Sequence, residues 1–143
     1  MAGTVVDERD DDELRILIQK VARRIRSNRA EGDVGDSQLS VLFYLDVRGA
    51  LTPTELAALE HVTPPSMNRT VNGLEEAGLV VRERATDDAR KVLVRLTPAG
   101  DRLLVETRRL RSVWFSDELA NLTPTERAAL EAARPALRKL AGG

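Results

Sequence analysis

Apolar side chains recur in this chain at two different spacings, and the change of spacing marks its organisation. Across residues 11–29, Leu14, Leu17, Ile18, Val21 and Ile25 fall three or four positions apart, which puts them on one face of a helix. A polar break at residues 30–36 separates this stripe from Leu39, Leu42, Phe43, Leu45 and Val47, a run that Gly49 stops. Thr52-Pro53-Thr54-Glu55 then starts a short helix: the Thr52 hydroxyl can cap a free amide, Pro53 sits where its missing N–H costs nothing, and Glu55 can reach back. Leu56, Ala57, Ala58 and Leu59 make it mostly apolar, and it ends near His61-Val62. Thr63-Pro64-Pro65-Ser66 restarts the chain at once, so the two helices are joined by a tight turn.

On this next helix Met67, Thr70, Val71 and Leu74 recur at helical spacing and face a core, so Pro65, Ser66, Asn68, Arg69 and Asn72 point away from it. At Gly78, after Ala77, the helix stops by turning left-handed, and the period falls to two. Residues 79–84 have the content of a strand, residues 85–90 turn, and residues 91–97 alternate with Val92, Val94 and Leu96 on one side. The economical reading is helix, turn, helix, wing. After it, Thr97-Pro98 opens a long helix through Leu103, Leu104, Thr107, Leu110, Trp114 and Phe115. Thr123-Pro124-Thr125-Glu126 opens a last one carrying Leu130, Ala133, Leu137 and Leu140, with Pro135 expected to kink it. The Thr-Pro signature is a helix-starting device used repeatedly; the segments behind each copy share no period, so it is no internal repeat.

The outward residues have the chemistry of duplex DNA recognition. Asn can bond adenine in a paired fashion, Arg can do the same with guanine, and Ser can meet a base edge or a phosphate. Their place early in the second helix is where helix-turn-helix proteins meet base edges, while Glu75 and Glu76 further along must lie outside the groove or pair with arginines. At the wing tip Arg90 can enter a minor groove and Lys91 can meet phosphate. Thr54, with the nearby amides, can donate to a phosphate. Arg82 and Arg84 either support phosphate contacts or pair with Glu83 and Asp87.

The segments Leu74-Glu75-Glu76-Ala77-Gly78-Leu79-Val80, Asp88-Ala89-Arg90 and Val94-Arg95-Leu96-Thr97-Pro98-Ala99-Gly100 resemble the multiple antibiotic resistance regulator (MarR) family of bacterial winged helix-turn-helix repressors. The flanking helices fit as well. The resemblance carries the family's wing Asp-x-Arg onto Asp88 and Arg90, the aspartate holding the wing or orienting an arginine. It implies a mainly α fold with a small β-hairpin wing: a winged helix-turn-helix domain flanked by N- and C-terminal dimerisation helices. Residues 1–10 are then a loose acidic N-terminus and residues 11–141 one MarR-type domain. Within it, 11–29 and 98–141 dimerise and 37–97 form the winged unit, with the helix-turn-helix at 52–77 and the wing at 79–97. The terminal stripes are too apolar to stay open: a homodimer, which the resemblance implies, would cover them, and packing of these helices on each other within one chain is the alternative.

The function implied is a dimeric repressor of a pseudo-palindromic double-stranded DNA operator, relieved by a small aromatic or amphipathic effector. Arg24, Tyr44, His61 and Trp114 are candidates for the effector cleft, and each also has a plainer role: packing for Tyr44 and Trp114, a helix end for His61, a solvated face for Arg24. A winged-helix protein-interaction module without specific DNA binding is the alternative.

Composition narrows this further. The net charge of −1 removes overall basicity as support for DNA binding and suits the alternative better. Acidic residues from Asp7 to Glu13 precede Arg15, Lys20, Arg23, Arg24, Arg26 and Arg29, a distribution that either suits the dipole of the first helix or sets some of these arginines along the flank of the DNA-binding surface. No cysteine and one histidine leave no disulfide, no thiol redox sensing and no expected metal site or cofactor. Without a glycine-rich phosphate loop, or a partner for Ser66 as nucleophile, an enzyme is not expected. No stretch approaches the roughly 18 apolar residues of a membrane span, so a cytoplasmic protein is expected, associated with the nucleoid when bound to DNA.

Overall fold

The computed structural model describes residues 8–32 and 34–143. Their order is α1 (Glu8–Ser27), α2 (Asp36–Arg48), α3 (Pro53–Glu60), α4 (Pro64–Glu76), β1 (Val80–Arg84), β2 (Val92–Leu96), α5 (Pro98–Ala120), α6 (Pro124–Ala132) and α7 (Arg134–Leu140). The fold is mainly helical with a two-stranded antiparallel hairpin. It divides into a body of residues 29–109, which holds the helix-turn-helix and wing, and an end body of residues 1–28 and 110–143.

The first body has a continuous apolar core. Val41 and Leu42 of α2, Leu56 of α3, Met67, Val71 and Leu74 of α4, Val80 and Val94 of the hairpin, and Leu104 of α5 are all fully buried. The hairpin pairs Val80 with Leu96 and Arg84 with Val92. Leu51 adds a one-residue bridge to its free edge: its amide donates to the Val94 carbonyl (3.2 Å) and the Val94 amide to the Leu51 carbonyl (2.7 Å). This bridge fixes the chain immediately before α3.

All four Thr-Pro pairs start helices. Thr52 and Thr123 form reciprocal boxes with Glu55 and Glu126. Thr63 has Ser66 three residues on, so only its hydroxyl acts, accepting from the Ser66 amide at 3.3 Å. Thr97 does more: its Oγ1 accepts from the Gly100 amide (3.2 Å) and donates to the Gly78 carbonyl (2.6 Å), while its own amide donates to the Leu79 carbonyl (3.1 Å). The start of α5 is thereby stapled to the turn that ends α4. Gly100 is buried there, and a Cβ on it would stand 2.3 Å from the Leu79 carbonyl oxygen.

In the end body, the Asn28 side chain and the Ser27 hydroxyl both donate to the Arg24 carbonyl at 2.8 Å, closing the last turn of α1. Arg111 donates to the Asn28 carbonyl at 3.2 Å, a cation at the negative end of that helix.

Three expectations need correction. Helix α1 begins at Glu8, so residues 8–10 belong to it and not to a loose terminus; residues 1–7 and Asp33 lie outside the described residues. It ends at Ser27, and Arg29 instead pairs with Asp36 across the following loop. The last segment is two helices and not one kinked helix, because Pro135 has no amide to continue α6 and its ring would meet the carbonyl of Glu131. In the first turn of α7 the same proline costs nothing.

Gly100→Ala is expected to lower stability by about 1–3 kcal/mol, the usual penalty for forcing a methyl group into a filled site, because the obstructing atom is backbone. Urea unfolding followed by circular dichroism measures it. Wild-type stability in this variant would show that the Thr97 staple yields easily.

Candidate nucleic-acid interface

Burial of Met67, Val71 and Leu74 rotates α4 so that its other face meets solvent. Pro65, Asn68, Arg69 and Asn72 are exposed on it. Ser66 is half-buried, its amide held by Thr63 and its carbonyl accepting from the Thr70 hydroxyl (3.3 Å). Thr70, expected to face the core, is also only half-buried. His61 ends α3 in the left-handed region (φ 55°), the backbone reversal that lets α4 start so soon.

The bridge at Leu51 sets the amino end of α3 beside the wing. Between them lies an open groove of about 360 Å3, lined by Thr52, Pro53 and Thr54 on one side, Arg90 and Lys91 on the other, and Asn68 of α4. Four residues singled out separately in the sequence, Thr54, Asn68, Arg90 and Lys91, thus share one concave surface. Leu51 was not among the predicted contributors; its signal was a single apolar residue between Gly49-Ala50 and a helix cap, too short to register as a strand.

The wing tip is closed by Ala85 N–H to the Lys91 carbonyl and Lys91 N–H to the Asp88 carbonyl, both 3.0 Å. Asp88 Oδ1 accepts from the Arg90 amide (3.0 Å) and from Arg90 Nε (3.2 Å). One carboxylate therefore both shapes the turn and orients the arginine. The Arg90 amide, the Arg90 guanidinium and the nearby Lys91 charge together hold the Asp88 carboxyl below the ordinary aspartate range. The Arg90 side chain is 91% exposed, so this pairing leaves its remaining donors turned to solvent.

Arg82 and Arg84 part company. Arg82 donates through Nη1 (3.0 Å) and its amide (3.1 Å) to the Glu75 carboxylate, so its partner is neither Glu83 nor Asp87. That pair neutralises one of the two α4 glutamates. Glu83 pairs with Arg95 at 3.1 Å, leaving Arg84 exposed on the same strand.

The four effector candidates fall in different bodies. Arg24 lies over the Trp114 ring (4.9 Å to its centroid) and pairs with Glu118 at 3.3 Å, all in the end body. Tyr44 donates to the Leu59 carbonyl at 3.3 Å and His61 caps α3, both in the winged body. Among the described residues, no helix is long and apolar enough to cross a membrane.

Comparison with known proteins decides the family. Residues 33–91 match the MarR family model. The chain is 37% identical over 127 residues to the HTH-type transcriptional regulator Mb0904 of Mycobacterium bovis, covering 89% of each. It is 31% identical over 114 residues to the multiple antibiotic resistance protein MarR of Salmonella typhimurium, covering 79% of each. The chain belongs to the MarR family. A solved transcriptional regulator from Pseudomonas aeruginosa superposes on this MarR-family protein with a TM-score of 0.84 at 35% identity, covering 98% of this chain and 99% of the other. Membership makes it a DNA-binding, winged helix-turn-helix transcriptional regulator and not an enzyme.

Asp88 is expected to titrate below the ordinary aspartate range, so its support of the wing tip is complete at neutral pH and is lost only as pH falls through that lowered value. Arg90→Ala should raise the midpoint only part of the way, because the backbone amide, the largest contributor, remains. Carboxyl-detected NMR titration of both proteins checks this; an identical midpoint in the two would remove the guanidinium from the account.

Proposed function

We propose that this MarR-family protein acts as a homodimeric repressor of a pseudo-palindromic operator. In this reading α4 of each copy enters a major groove, with Asn68, Arg69 and Asn72 at base edges and Ser66 and Pro65 at the helix tip. Each wing reaches the adjacent minor groove through Arg90, with Asp88 orienting it, while Lys91, Thr54 and Arg84 meet phosphates. The observation that carries the reading is the surface shared by Thr54, Asn68, Arg90 and Lys91, which presents donors from α3, α4 and the wing together. Arg82 has a different role here: bound to Glu75, it removes a negative charge from the flank of the reading helix.

A duplex repeats its groove about every 34 Å, so two reading helices at that separation bind half-sites one turn apart. Occupancy of a promoter then excludes polymerase in the cytoplasm, where the nucleoid lies. A small aromatic or amphipathic effector that changes the spacing of the two helices weakens both half-sites together and relieves repression. Arg24, Tyr44, His61 and Trp114 are the residues to survey for its contacts.

Titration of genomic fragments, beginning with DNA upstream of the protein's own gene, tests this at several salt concentrations. Binding should survive competitor DNA and fall steeply with salt. Arg69→Ala should cost about 1–3 kcal/mol and relax base preference, whereas Lys91→Ala should weaken all sequences alike and reduce the salt slope by about 1. Unchanged binding in both variants would overturn the groove assignment.

A further inference from the structure

The two bodies differ in a way that bears on how the protein folds. Every buried residue among those described lies between Leu39 and Thr107, inside the winged body. The end body, described from residue 8, has none. Its apolar stripe on α1 stands open, with Leu14 56%, Leu17 49% and Val21 46% exposed, and Leu130 of α6 and Leu137 and Leu140 of α7 are open as well.

Helices without a core depend on their own length. Isolated helices shorter than about 12–15 residues are marginal in water. Helix α6 has 9 residues and α7 has 7, and neither buries a residue. Capping by Thr123 and Glu126 satisfies only the first turn of α6, too little to offset the conformational entropy of ordering 16 helical residues. The winged body, by contrast, meets the description of a unit that folds alone, with its own core drawn from five helical or hairpin segments.

We infer that the end body folds only as it associates with a second copy of this chain, while the winged body is folded before association. A second copy fits because the end body is complementary to itself in charge as well as apolar: α1 opens with Asp10, Asp11, Asp12 and Glu13, and α7 carries Arg134, Arg138 and Lys139. A two-fold axis can set unlike ends of one body against each other, which a homotypic contact between like charges could not. The solved relative from Pseudomonas aeruginosa retains these helices, since it matches 98% of the chain. Below the concentration at which copies pair, the protein is a folded reader with unfolded ends; the cost of ordering those ends enters the dissociation constant of the dimer, so pairing falls more steeply with urea than it would for two rigid subunits.

The chain provides its own reporter. Its single tryptophan, Trp114, lies in the end body. Full-length protein is unfolded in urea over a dilution series, following Trp114 emission and helicity for the end body and hydrogen exchange at Leu42, Val71 and Val94 for the winged body. The Trp114 transition should move to lower urea with each dilution and coincide with dissociation measured by sedimentation; the winged-body transition should stay in place. Leu17→Glu should give the red-shifted Trp114 emission and reduced helicity of the dilute wild type at every concentration, with exchange at Leu42, Val71 and Val94 still slow. Because the second copy is the dimer partner proposed above, the two readings separate at the dilute end. A monomer with full helicity, in wild type or Leu17→Glu, overturns coupled folding alone, and a chain that never associates overturns the dimer as well. A single transition independent of protein concentration also overturns coupled folding.

Discussion

The junction where Thr97 meets the Gly78-Leu79 turn holds α4, the wing and α5 together. At this one point the end of α4, the return strand of the wing and the start of α5 are bonded to each other: Thr97 N–H to Leu79, Thr97 Oγ1 to Gly78, and Gly100 N–H to Thr97. Gly78 makes the left-handed exit (φ 74°), and Gly100 has no side chain where α5 lies against the Leu79 carbonyl. With the junction intact, the exit of α4 and the root of the hairpin are fixed relative to each other. The second constraint, Leu51 on the free edge of β2, sets the amino end of α3 against the same hairpin. Two small backbone ties thus place three donor-bearing elements around one groove.

Net charge gave no support for DNA binding, and the structure explains why it need not. Glu75 and Glu83 are engaged by Arg82 and Arg95, so much of the acidic content around the reader is cancelled locally. Asp88 is spent on Arg90, which nonetheless remains almost wholly exposed. Among the described residues, Arg69, Arg84 and Lys91 stand exposed without an ion pair on the same body. Local arrangement decides the potential felt at a phosphate within a Debye length of about 10 Å, and the chain total does not.

Much of this was legible in the sequence because it rests on strong local chemistry. Thr-Pro-x-Glu boxes, Gly78 after Ala77 and the inward spacing of Met67, Val71 and Leu74 each depend on residues within one or two turns. What escaped depends on partners distant in sequence. Leu51 pairs with Val94, and Arg82 finds Glu75 where nearer acidic residues had been expected; nothing in the local pattern distinguishes those partners. The family motif ending in Thr-Pro-Ala-Gly was readable as a resemblance, yet the reason for its glycine, a backbone oxygen 2.3 Å from any Cβ, exists only in three dimensions. Pro135 shows the reverse: a local signal read correctly as disruptive, with its strength underestimated.

The division of stability follows from the same facts. The winged body satisfies its polar groups and buries its apolar ones internally, down to Thr107, whose buried hydroxyl accepts from the Ala30 amide at 3.2 Å. The end body spends its apolar residues on an open face and its charges on helix ends, leaving its order dependent on something outside the single chain. In the homodimer proposed above, the spacing of the two α4 helices is set by an interface between copies and not by packing inside one chain. An interface worth only a few kcal/mol more in one arrangement than another can be biased by a ligand of modest affinity, whereas a core as tightly filled as that around Leu42, Leu56 and Leu74 could not.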